Sequence, residues 1–226
     1  MTLNLDRLAV IQQEQKTWEE ANFGFQKPWR PAFGMFEETG EMARAFLKIA
    51  QGIRGSVEEH ELSLADAIGD CLVFLCGYAN RRDFELAELL AFSPPRPPRS
   101  LKGFPEMDEE AVRVKLARNV FIRIGRFEEA DDVLPMHWRV GEHVPAAAYL
   151  NVVESIVLLV DELSALAIGT IGKTAQDCLE LAWSEVKSRD WKKNPNDGKS
   201  LVNTDEDAPK KSKKKVARKK AKKRGR

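Results

Sequence analysis

Apolar residues recur at helical spacings along most of the chain, and no stretch alternates apolar and polar positions over the length of a strand. The spacing predicts a helix over 3–21, carrying Leu5, Leu8, Ile11, Gln12 and Gln15 on one side. Its apolar stripe is short and its glutamine-rich part polar, so it is expected to be half exposed. Residues 22–31 contain Gly24, Pro28 and Pro31 and predict a loop. A second helix follows over 32–51, with Met35, Phe36, Met42, Ala43, Phe46 and Leu47 as its apolar face and Gly52 and Gly55 as its stop. Residues 56–62 read as a polar connector, and 63–80 as a third, strongly apolar helix. A short helix is expected over 84–92, an exposed extended spacer over 93–100 (SPPRPPRS), and a further helix over 106–128. A loop at 131–145, a long apolar helix at 146–168 and a last helix at 174–189 complete the pattern. The fold class is therefore all-α. Four helices are expected to form the core, with a helical insertion over about 83–172 before the last of them.

Two of these helices carry acids in unusual places. Glu37, Glu38 and Glu41 fall within about 100° of arc on one, and Asp66 and Asp70 within about 40° on the other. Asp70 is followed by CLVFLCGYA, nine residues without a charge. A carboxylate among apolar neighbours is costly to ionise unless a cation compensates it. Hard divalent cations take oxygen ligands, and Mg²⁺ uses a few carboxylates with waters and phosphates. Di-iron bundles use Glu-x-x-His, and none of His60, His137 and His143 stands three residues after a Glu. The donor set favours Mg²⁺, with Mn²⁺ second. Attack of water on a phosphoryl group is the chemistry that suits it. The alternative for the Glu strip is a solvated helix face laced with ion pairs to Arg44 and Lys48.

Glu-Glu-x-x-Glu at 37–41, followed by an Asp at 70 that opens an apolar run, resembles the MazG-like all-α nucleoside triphosphate pyrophosphohydrolases, relatives of the dimeric dUTPases and dCTP pyrophosphatases. Glu37, Glu38 and Glu41 match the first half of the family pattern and Asp70 the last Asp of the second. The pattern commonly has an acid at position 67, where this chain has Ala67; Asp66 is its candidate substitute. EVKSRDWKKNP at 185–195 resembles the closing helix and basic segment of phage-type members. The resemblance covers 1–82 and about 173–198. It implies release of pyrophosphate by a split between the α- and β-phosphorus, with Glu38, Glu41, Asp66 and Asp70 on the metal and Glu37 or Glu38 orienting or deprotonating water. It also implies a homo-oligomer, dimer or tetramer. Lys48, Lys187, Arg189, Lys192 and Lys193 are candidate phosphate contacts, and Trp18 is a candidate base-stacking residue. For Trp18, Phe23, Phe25 and Trp29, the alternative is a plug at the end of the bundle. For the basic residues, it is a solvated helix end.

Charge changes one part of this picture. Residues 210–226 hold 12 of the 36 Lys and Arg and no acid, which leaves 24 basic against 35 acidic residues in 1–209, a net −11. The segment 199–226 is expected to be a disordered basic tail with weak, salt-sensitive nucleic-acid binding. The tail and Ala67 together support a competing reading, a catalytically inactive bundle acting as a scaffold or nucleic-acid binder. Cys71, Cys76 and Cys178 lie on apolar helical stretches and read as reduced thiols. Neither a signal peptide nor an uncharged run of 18 residues is recognisable, so no membrane is expected and the expected location is the cytoplasm.

Overall fold

The structure, a computed structural model, describes residues 3–92, 108–135, 138–141 and 143–195. It is all-helical: α1 Leu5–Phe23, α2 Trp29–Gln51, α3 Val57–Arg82, α4 Leu86–Ala91, α5 Glu109–Asp132, α6 Ala146–Ile171 and α7 Ala175–Val186. The proline-rich spacer at 93–100, His137 and the segment 199–226 lie outside the described residues.

Helix α3 is the axis of the molecule. It packs against α2, α7, α1 and α6, while α5 lies along α6 and touches α2. One continuous core joins all seven helices, from Leu8 and Met35 through Ile68 to Ile124, Ile156 and Trp183. By length and composition α3 would pass as a membrane span, but 72% of its most apolar window is buried inside the protein. Two glycines set how closely its neighbours approach. A Cβ at Gly69 would stand 2.1 Å from the Cys178 carbonyl oxygen of α7, and one at Gly34 would stand 2.4 Å from the Phe74 ring. Side chains at these two places would push α7 and α2 away from α3.

Several boundaries differ from the sequence reading, each for a local reason. The expected loop at 22–31 shrinks, because Pro31 sits in the first turn of α2, where no intrahelical N–H bond is lost. The expected connector at 56–62 is the start of α3. Ser56 accepts from the Glu59 backbone N–H at 3.2 Å, and the Glu59 carboxylate accepts from the Ser56 N–H at 2.9 Å. This reciprocal cap turns a polar stretch into the first turn of the helix. We expect Ser56→Ala to cost about 1 kcal/mol and to lower the Tm by about 2–4 °C. An unchanged melting curve would show that the box contributes nothing.

Helix α1 is less exposed than its polar residues suggest, since Gln12 and Gln15 are buried. Gln12 Nε2 donates to the Phe84 carbonyl at 2.7 Å, and Asn80 Nδ2 donates to Gln15 Oε1 at 2.7 Å. Glu19 forms a buried ion pair with Arg81 at 2.5 Å. On α2, Phe36 and Leu47 belong to no core face: they are 41% and 59% exposed, while Met35 and Met42 are buried. On the apolar α6, Glu162 is buried and accepts from Asn119 Nδ2 at 3.2 Å. Helix α7 ends at Val186, so Lys187 and Arg189 leave it in turns.

The segment that follows α3 is fastened to it through Arg82. Its guanidinium donates to the carbonyls of Pro135 at 2.7 Å and Trp138 at 3.1 Å, and to the Asp131 carboxylate at 2.5 Å. The Tyr78 hydroxyl donates to the same Asp131 oxygen. The end of α5 is thereby fixed to the end of α3.

Candidate carboxylate site

The site begins with Glu38. Helical geometry turns it about 100° from Glu37 and about 60° from Glu41, and so toward α3. It is 7% exposed, whereas Glu37 and Glu41 lie open to solvent. Its Oε2 is buried with no hydrogen-bond partner. Burial pushes its carboxyl up to about 9, and the charges of Asp70, Glu41, Glu37 and Asp66 push in the same direction. Two helices thus project four further acids into the field of one buried carboxyl.

Helix α3 supplies the other half. Asp70 is pushed up to about 7, first by burial and then by Asp66, with Glu185 and Glu41 adding and Arg189 opposing. Asp66 is raised by burial and next by Glu185, and Arg189 again opposes. Position 67 cannot take that role, because Ala67 is 1% exposed and faces the core. Asp66 therefore stands on the acid side of α3 while Ala67 does not.

The close α3–α7 crossing brings in the end of α7. Glu185 and Arg189 pair with each other and both act on Asp66 and Asp70. Arg189 is accordingly the one cation of the predicted basic segment shown to act on these acids. Glu185 is an addition that its own segment gave no reason to single out, since the α3–α7 contact that makes it relevant depends on Gly69. The others are spent elsewhere. Lys193 pairs with Asp190 at 2.9 Å, Lys187 acts on Glu180, and Lys192 is exposed. Lys48 is lowered by burial and by its neighbours Arg44 and Arg54. The Trp18 ring packs edge-on against Phe23 at 5.7 Å and Trp183 at 6.2 Å, and its Nε1–H donates to the Arg189 carbonyl at 3.0 Å. It holds the α7 exit in place from α1.

The donors are all carboxylate oxygens, and His60 is engaged elsewhere, with its Nε2 3.0 Å from the Ile53 carbonyl oxygen. Among the described residues no three His, Cys, Asp or Glu side chains close around a point as a complete metal cage. The strip is open. It fits a hard cation that keeps several waters and takes few protein ligands, and the unpartnered Glu38 oxygen fits a cation's need for an anionic donor. No protein-family model, curated protein or solved structure matches the chain.

Proposed function

We propose that the protein is a Mg²⁺-dependent hydrolase that converts a nucleoside triphosphate to the monophosphate and pyrophosphate. The observation that carries this reading is the buried, unpartnered Glu38 carboxylate in the common field of Glu41, Asp66 and Asp70. The motif order Glu37-Glu38-x-x-Glu41 then Asp70, which resembles the MazG-like enzymes, supports it. Bound Mg²⁺, or Mn²⁺ in its place, would polarise a phosphoryl oxygen and lower the pKa of a bound water.

The chain's own residues divide the remaining work. Glu38, Glu41 and Asp70 would hold the cation, with Asp66 beside them. Glu37, the solvent-facing acid next to Glu38, orients the water or takes its proton, and Glu38 is the alternative base. The water oxygen bonds to phosphorus as the bridging P–O bond breaks, and pyrophosphate leaves with that electron pair. Arg189 meets the phosphate oxygens once substrate competes with Glu185 for its guanidinium.

The deciding experiment is pyrophosphate release from a panel of canonical and modified nucleoside triphosphates, with Mg²⁺ and with chelator. Mg²⁺-dependent release from at least one member is expected. Lack of release across the panel, joined to lack of Mg²⁺ binding by calorimetry, would sink the reading.

A further inference from the structure

The turn from α1 into α2 carries an aromatic surface free of acid. Residues 21–36, ANFGFQKPWRPAFGMF, hold Lys27 and Arg30 and no Asp or Glu, in a body where 35 of 209 residues are acidic. The rings of this stretch stand out in solvent: Phe23 is 48%, Phe25 65%, Trp29 42%, Phe33 62% and Phe36 41% exposed. Contiguous exposed aromatic surface of this kind marks a contact surface.

The rings are held in two clusters. Trp29 meets Phe33 at 5.6 Å and Phe33 meets Phe36 at 6.3 Å, both edge-on. Phe23 meets Trp191, from the chain beyond α7, at 6.4 Å with the ring planes 34° apart. Gln26, itself buried, ties the turn between the clusters. Its Nε2 donates to the Phe23 carbonyl at 3.0 Å, and its Oε1 accepts from the Arg30 guanidinium.

Cations are interleaved with the rings. The Arg30 guanidinium lies over Trp29 at 5.6 Å from the ring centre, Arg139 over Phe25 at 5.4 Å and Arg189 over Trp191 at 5.9 Å. Lys27, Arg30 and Lys192 are exposed. On α2 the acids begin only past Phe36, at Glu37. The twelve cations of 210–226 follow Trp191 on the same chain. A ligand suited to such a surface is polyanionic and carries flat apolar groups with their faces open. Single-stranded nucleic acid has both properties. A duplex has the charge, but its base faces are closed in the stack.

We infer that this end of the protein binds single-stranded nucleic acid, with bases stacking on Trp29, Phe33 and Phe36 and phosphates meeting Lys27, Arg30 and Lys192. This differs from binding by the basic segment alone, which takes any polyanion and does not distinguish paired from unpaired bases. Here the rings supply the preference for open bases and the cations supply attraction.

The test uses the full chain and oligonucleotides without a triphosphate, so its outcome is separate from that of the hydrolase reading. By fluorescence anisotropy, the protein should bind a labelled oligothymidine of about 15 nucleotides, a usual site size for such surfaces. It should bind that strand at least about tenfold more tightly than the same strand annealed to its complement. Trp29→Ala and Phe33→Ala should each weaken single-strand binding by about fivefold or more, the loss of one stacked base, and leave duplex binding and the salt slope unchanged. Lys27→Ala should instead reduce the salt slope by about one. All three side chains are exposed, so the melting curves should stay in place. Equal affinity for strand and duplex, or ring variants that bind as the unaltered chain does, would leave the basic segment as the only contact and overturn the inference. Lack of binding to either oligonucleotide would overturn it too, and would leave the rings to a protein partner.

Discussion

Asp70→Asn is expected to lower kcat for nucleoside triphosphate hydrolysis by at least about 10³-fold, roughly 4 kcal/mol in barrier. Asparagine keeps the volume of the side chain and its place beside α7. It removes the charge that a hard cation requires and leaves Glu38 and Glu41 without the α3 half of the site. Helix content should not change, and Mg²⁺ affinity measured by calorimetry should fall with the activity. Mg²⁺ affinity equal to that of the unaltered protein would remove the metal from α3. Asp66→Ala is the informative companion. Asp66 shares with Asp70 the influence of Glu185, Arg189 and Glu41. If it replaces the acid missing at Ala67, its loss should cost nearly as much activity. Full activity in that variant would assign the cation to Glu38, Glu41 and Asp70 alone.

Where the sequence was legible, its signals were periodic or costly. Seven helical stretches follow from apolar spacing, and Asp70 declared itself by standing in an uncharged run. What stayed hidden depends on contacts between segments far apart. That Glu38, rather than Glu37 or Glu41, is the buried member of its motif follows from which side of α2 meets α3. Spacing alone left all three on one apparently solvated face. The burial of Gln12 and Gln15 depends on Asn80 and Phe84 of other elements, and amide side chains that look solvated in sequence become joints once such partners arrive. Lys187, Arg189, Lys192 and Lys193 looked equivalent as a basic run. They separate because α7 ends at Val186 and the turn beyond it sends only Arg189 toward the acids. Phe36 and Leu47 look like core residues in any helical count. They face outward because α3 takes the side of α2 that carries Met35 and Met42.

The same burial predicts how stability follows pH. In the unfolded chain Asp70 and Glu38 lose their protons near pH 4. In the folded, metal-free protein Asp70 holds its proton to about 7 and Glu38 to about 9. Between those limits the folded state binds more protons than the unfolded one, so stability falls as pH rises. The contribution is fully present below about pH 4; the Asp70 part is gone above about 7 and the Glu38 part above about 9. Each group costs up to about 1.4 kcal/mol per pH unit within its window. Raising the pH from 5 to 8 should therefore lower the Tm of the metal-free protein by on the order of 10 °C, at the usual few degrees per kcal/mol for a chain of this size. Mg²⁺ bound as proposed would reverse the sign of the argument, since it would take the deprotonated carboxylates and displace their protons. At pH 8, Mg²⁺ at a hundred times its Kd should restore about 2.7 kcal/mol. At pH 5, where the acids hold their protons, the same concentration should do much less. Glu38→Gln should flatten the metal-free pH profile, because it replaces the buried acid with a neutral side chain of similar size. It should also weaken the Mg²⁺ response at pH 8. A metal-free Tm that is level from pH 5 to 8 would mean that the fold does not hold these two carboxyls protonated, and a Mg²⁺ response of equal size at both pH values would mean that Glu38 and Asp70 do not share a cation. The unpartnered oxygen of Glu38 would then be a cost of the fold with no metal to offset it.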